Sequence, residues 1–133
     1  MTNKSKKILS EISAGELLDK ISILEIKIDK IKNKNSLHEV NKEYKSLKET
    51  LDSNMEITDK IKQLSEEIKE VNLQLWNIED KIRICEKNKD FGKNFIELAR
   101  SVYSTNDKRS KIKSKINEIV GSNIREIKEY VDY

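Results

Sequence analysis

The 133-residue chain has no proline, three glycines, one cysteine and one histidine, and aromatic residues make up 5% of it. Without proline and with so little glycine, the many tight turns of an all-β domain are hard to build, whereas long helices suffer no interruption. With Cys85 alone, no intrachain disulfide can form, and an oxidising compartment is not implied. With His38 alone, neither a two-histidine metal site nor a cysteine–histidine zinc site forms within one chain. No run approaches the roughly 18 apolar residues of a membrane-spanning helix, so no membrane insertion is expected. The N-terminus lacks the apolar stretch of a secretory leader, and the expected location is the cytoplasm. Phosphate-cradling glycine loops, nucleophile elbows and dinucleotide fingerprints are missing as well. Glu67 and Glu70 have the spacing of a magnesium-binding pair but lie off the apolar stripe, so neither a metal nor a cofactor is expected.

What the chain has in abundance is charge. Charged residues are 38% of it, 27 basic against 24 acidic, for a net charge of +3. The two signs are interleaved, which disfavours a dedicated nucleic-acid binder with its concentrated basic face. The one purely basic patch is Lys4, Lys6 and Lys7, read as part of a flexible tail over 1–12, with a single helical domain over 13–133. Lysine, isoleucine and asparagine are plentiful, as an AT-rich genome would favour. That makes the four arginines, Arg83, Arg100, Arg109 and Arg125, worth singling out.

Apolar spacing predicts the helices. Ser13 and Glu16 have the spacing of a capping box, and Leu17, Ile21, Leu24, Ile28 and Ile31 follow as a heptad stripe. Asn33 to Asn35 should end this helix. Ser36 and Glu39 should cap a second one, carrying Leu37, Val40, Tyr44, Leu47 and Leu51, with a break near Ser53. The longest stripe runs from Ile57 through Ile61, Leu64, Ile68, Val71, Leu75, Ile78 and Ile82 to Cys85, which reads as a core thiol. Phe91, Phe95, Leu98 and Val102 mark a fourth helix. Ser104 to Asp107 is rich in capping residues and should break it, starting a fifth with Ile112, Ile116 and Ile119. Gly121 suits a left-handed C-cap, and Ser122 should open a sixth helix carrying Ile124, Ile127 and Val131.

The expected fold is therefore all-α. It is an antiparallel bundle or coiled-coil hairpin built on one long central helix, with three shorter C-terminal helices packed on that helix's second half. Leu73, Trp76 and Ile84 lie off the seam there and call for such cover, as do Ile23 and Ile26 on the first helix. A partner subunit would serve equally, so a homo-oligomer, most simply a dimer, is expected.

Two clusters carry the candidate chemistry. Trp76, Asp80 and Arg83 share one side of the third helix beside Glu79, where apolar neighbours should partly bury them. Arg100 leads into Asn106, Asp107, Arg109 and Lys113, and Asn106, Arg109, Lys113 and Asn117 recur at three or four residues, so they can line one helical face. The residue types suit a small anion such as a phosphate, a nucleotide sugar or a carboxylate. Trp76 would stack, Arg83, Arg100, Asn106, Asp107, Arg109 and Lys113 would bind, and Glu79 or Asp80 would serve as acid or base. The competing reading is an internal ion network in which the arginines satisfy nearby carboxylates. The leading reading of the whole chain is a helical interaction or assembly module with a polar cleft between helices 3, 4 and 5, and the small-anion binding protein or enzyme is the alternative. The sequence leaves open whether the chain is an enzyme.

Three stretches carry a resemblance: Ser13 to Lys20 with Ile23 to Lys27; Leu75 to Asp80 with Arg83 and Glu86; and Phe95 to Tyr103 with Asn106, Asp107 and Arg109, closed by Ser122, Glu126, Lys128, Tyr130 and Tyr133. Together they resemble an uncharacterised family of small helical proteins, a domain of unknown function, from marine bacteria and their phages. The resemblance implies one intact domain over nearly the whole chain and carries no mechanism.

Overall fold

A computed structural model describes residues 6–133. Of the expected basic tail, 1–5 with Lys4 lie outside the described residues, while 6–12 are exposed and carry no helix. The described residues form four helices and no strand: α1 (Ala14–Lys30), α2 (Lys34–Asn54), α3 (Asp59–Lys87) and α4 (Lys93–Val120).

The caps differ from expectation at two of the starts. Ser13 does cap α1, its Oγ accepting from the Glu16 amide at 3.2 Å. At α2 the cap is Asn33 rather than Ser36, and its side chain accepts from the Ser36 amide. At α3 the cap is Thr58 rather than Ser53, accepting from the Ile61 amide. Each cap satisfies one of the amides that a helix start leaves without an intrahelical partner.

The largest departure is α4. The expected break at Ser104–Asp107 does not occur, and expected helices 4 and 5 are one helix of 28 residues. Its hydroxyls turn back onto their own helix: Ser101 donates to the Glu97 carbonyl and Ser104 to the Ser101 carbonyl. Thr105 is buried, so packing outweighs the capping tendency of the segment. The expected sixth helix is absent too. Gly121 takes the left-handed conformation (φ 73°), and its amide and that of Ser122 both donate to the Asn117 carbonyl. Residues 123–133 then continue without helix, as a strap lying back along α4.

The long third helix is not the centre. At about 44 Å it is matched by α4 at about 42 Å, and the helix that packs against all three others is α1, the shortest at about 26 Å. α1 buries Leu17, Leu18, Asp19, Ile21, Ser22, Leu24 and Ile26 over most of its circumference, as a central helix must. The cover that Ile26 needed is thus supplied within the chain. Leu17, Leu18 and Ile21 share a core with Leu51 of α2, Ile61 and Leu64 of α3, and Ile116 of α4.

α3 and α4 form an antiparallel hairpin that outruns α1. Among the described residues between Asn72 and Thr105, Cys85 is the one buried side chain, so this half of the hairpin is a two-helix arm. Its tip closes on Lys89 at φ 54°, with the Asp90 amide donating to the Cys85 carbonyl.

Candidate functional site

The polar site grows out of the way α1 meets α4. At Gly15 the helices approach so closely that a Cβ would stand 2.5 Å from the Lys113 carbonyl oxygen and 3.0 Å from Asn117 Oδ1. Only glycine fits, and the gap is filled by hydrogen bonds. The Gly15 amide donates to Asn117 Oδ1 at 2.7 Å, and the Ala14 amide donates to Ser122 Oγ at 3.0 Å. Two of the amides at the start of α1 are thus capped by side chains more than a hundred residues further on.

One turn further along α1, Asp19 is fully buried. Arg109 grips it with two hydrogen bonds, Nε to Oδ1 at 2.9 Å and Nη2 to Oδ2. Asn72 of α3 donates to the same Oδ1 at 2.8 Å and to Ser22 Oγ, and Ser22 donates to the Asp19 carbonyl. Lys113, with its side chain 9% exposed, lies 2.7 Å from Glu16, 2.8 Å from Glu126 of the strap and 3.7 Å from Asp19. Three helices and the strap therefore meet on one ion network. No buried side-chain nitrogen or oxygen among the described residues is left without a partner.

The electrostatics follow from this packing. Burial pushes the Asp19 carboxyl up, but the hydrogen bonds from Arg109 and Asn72 and the charges of Arg109 and Lys113 outweigh it, and the pKa lies below the ordinary value. The Lys113 ammonium is pushed down by burial but raised overall by Glu126, Glu16 and Asp19. Glu126 is lowered, chiefly by its hydrogen bond from Lys113. Arg109 is raised by its bond to Asp19. All four therefore hold their charges at neutral pH.

The candidate residues fall into two places. Arg109 and Lys113 belong to the network, and Asn106 adjoins it, accepting from Arg109 Nη1 at 3.5 Å. Asp107 lies on the same helix and accepts from the Tyr133 hydroxyl. Trp76, Glu79, Asp80 and Arg83 lie on the arm. Trp76 is half-buried there, but Glu79, Asp80 and Arg83 are exposed, and the Arg83–Glu79 pair is a solvated one at 3.7 Å. The burial expected for these charges is absent for a physical reason. The helices expected to wrap the back half of α3 are instead one helix, α4, which covers a single side of α3 there, and a strap that lies along α4. Arg100 is exposed on α4 beside Tyr133. The three arginines of the expected anion grip do not converge, and there is no single cleft between helices 3, 4 and 5.

Sequence reasoning missed Asp19, Asn72 and Glu126 as parts of the network. The one signal was position. Asp19, Ser22 and Ile26 share a face of α1, and a carboxylate on a helix that is apolar on most sides needs a fixed counter-charge. The groove between α4 and the strap was also missed, because it depends on the strap not being a helix. It holds about 960 Å³ beside Tyr103, Asn106, Asp107, Tyr130 and Tyr133.

Among the described residues, fold and site define an all-α arrangement of three helices around a short central one, clamped by an ion network, with no helix long and apolar enough to cross a membrane. The chain belongs to a family of unknown function (DUF6165), whose model matches residues 8–132. No curated protein and no solved structure matches it.

Proposed function

We propose that the chain is a helical assembly module that pairs with a second copy of itself through the α3–α4 arm. The observation that carries this reading is the set of apolar side chains on the arm that stand half or more in water: Ile84 (56%), Phe91 (50%) and Ile96 (54%). Cys85 and Asn94 touch across the hairpin at 3.7 Å, which puts Ile84 and Ile96 at about the same level, with Phe91 nearer the tip. Covering each would contribute on the order of 1 kcal/mol. The arm's charges favour a copy of the same chain as the partner. From Glu79 to Arg100 five carboxylates alternate with six cations. A strongly acidic or basic partner would meet like charges along such a surface, whereas a second arm can set unlike charges against each other. The single free thiol fits a reducing, cytoplasmic setting.

The rival reading, an anion grip by Arg83, Arg100 and Arg109 with Glu79 or Asp80 as acid or base, is weakened because Asp19 already occupies Arg109. Light scattering across a dilution series tests the assembly reading. The expected mass at high concentration is twice 15.6 kDa, and Ile84→Glu with Ile96→Glu should return it to 15.6 kDa. A native chain that stays at the single-chain mass at its highest concentration overturns the reading.

A further inference from the structure

The strap closes one side of a groove along α4, and the two halves of that groove differ in chemistry. One half, of about 960 Å³, is aromatic: Tyr103, Tyr130 and Tyr133 line it, with Asn106 and Asp107 beside them. The other, of about 520 Å³, is basic. Lys111, Lys113, Lys115 and Lys128 face Glu118 and Glu126, an excess of two cations, and Ser110 and Ser114 add hydroxyls. Lys128 lines both halves, so they meet at this side chain. It sits at the joint, 3.4 Å from Glu126 and 5.9 Å from the centroid of the Tyr130 ring.

We propose that this groove binds a nucleoside phosphate, with the base against Tyr130 and the phosphates on Lys111, Lys115 and Lys128. The ligand must be uncharged and flat at one end, because exposed tyrosine rings offer stacking faces to it. Asn106 supplies both a donor and an acceptor for the edge of such a ring, and Asp107 supplies an acceptor for its amino or imino groups. The same Asp107, with Asp132 also on the aromatic lining, repels an anion there. The other end must be anionic, because Lys111 and Lys115 are exposed. Lys113 is already matched by Glu16 and Glu126 and holds the strap in place. From Tyr103 to Ser114 the groove follows α4 for about 16 Å, enough for a ring, a sugar and a phosphate chain laid end to end. The site is independent of the assembly reading, since none of these residues lies between Glu79 and Arg100.

Calorimetric titration of the full chain with ATP, adenosine and tripolyphosphate tests the proposal, with circular dichroism as the check that each variant folds. ATP should bind one to one, and adenosine and tripolyphosphate should each bind at least about tenfold more weakly. Tyr130→Ala should weaken ATP and leave tripolyphosphate unchanged, and Lys111→Glu with Lys128→Glu should weaken both. Absence of ATP binding overturns the proposal, as does equal affinity for ATP and tripolyphosphate that Tyr130→Ala does not alter. A single-stranded oligonucleotide that binds more tightly than ATP overturns it in favour of nucleic acid.

Discussion

Arg109 and Arg83 stand on antiparallel helices of one hairpin, and each faces a carboxylate. Arg109 holds Asp19, whose side chain is 1% exposed, through two parallel hydrogen bonds. Arg83 is 79% exposed and meets Glu79 at 3.7 Å within a single helix. The first pair joins α1 to α4 across 90 residues of sequence and shares its carboxylate with Asn72 of α3. The second joins a helix to itself. The contrast teaches that residue type says little about what a charge does. Burial and the number of elements that converge on it decide whether it specifies the fold or decorates it. A buried ion pair gives little net stability, because desolvation of both charges offsets their attraction. Its worth here lies in register: Asp19 has one place where Arg109, Asn72 and Lys113 can all reach it.

The comparison breaks most visibly at Asp19. Asp19→Ala leaves the Arg109 guanidinium partly buried without its partner and should cost about 3–5 kcal/mol in urea unfolding. Gly15→Ala forces a methyl group against the Lys113 carbonyl and should cost about 1–3 kcal/mol through separation of α1 from α4. Lys89→Gly, at the arm's tip, should stabilise by about 1 kcal/mol, because glycine accepts the positive φ that lysine tolerates poorly. Arg83→Ala should change stability by less than about 0.5 kcal/mol.

Acid sharpens the same contrast. The folded pKa of Asp19 lies below its ordinary 3.8, and that of Glu126 below 4.5. The stability they confer is therefore complete above those values and is lost as pH falls through the lowered folded values. Urea midpoints measured from neutral to strongly acid pH should drop on that limb, and Asp19→Asn should flatten the drop.

The seams were legible in the sequence because heptad spacing reports a face directly. Leu17, Ile21 and Leu24, and Ile61, Leu64, Ile68, Val71 and Cys85, are all buried. Spacing does not report which neighbour covers a face, so the longest seam points to α3 as the centre, whereas α1 packs against all three other helices. Ser104 to Asp107 carry a local capping signal, yet packing of Thr105 inside the bundle overrides it. Ile124, Ile127 and Val131 have helical spacing, but a segment of about 12 residues is marginal as an isolated helix. Here it is tied down as a strap by Ser122, Glu126 and Tyr133. The position of Asp19 hints at a counter-charge, but the identity of its partners is not legible. Its partners lie 53 and 90 positions away, and no local pattern names them.

Two double-mutant cycles in urea unfolding, Asp19 with Arg109 and Glu79 with Arg83, measure the difference between the two ends of the molecule. The buried pair should couple in the upper part of the roughly 0.5–3 kcal/mol range of contacting residues, and the exposed pair within about 0.5 kcal/mol of zero. Equal coupling energies for the two pairs would contradict a fold clamped at α1 by its ion network.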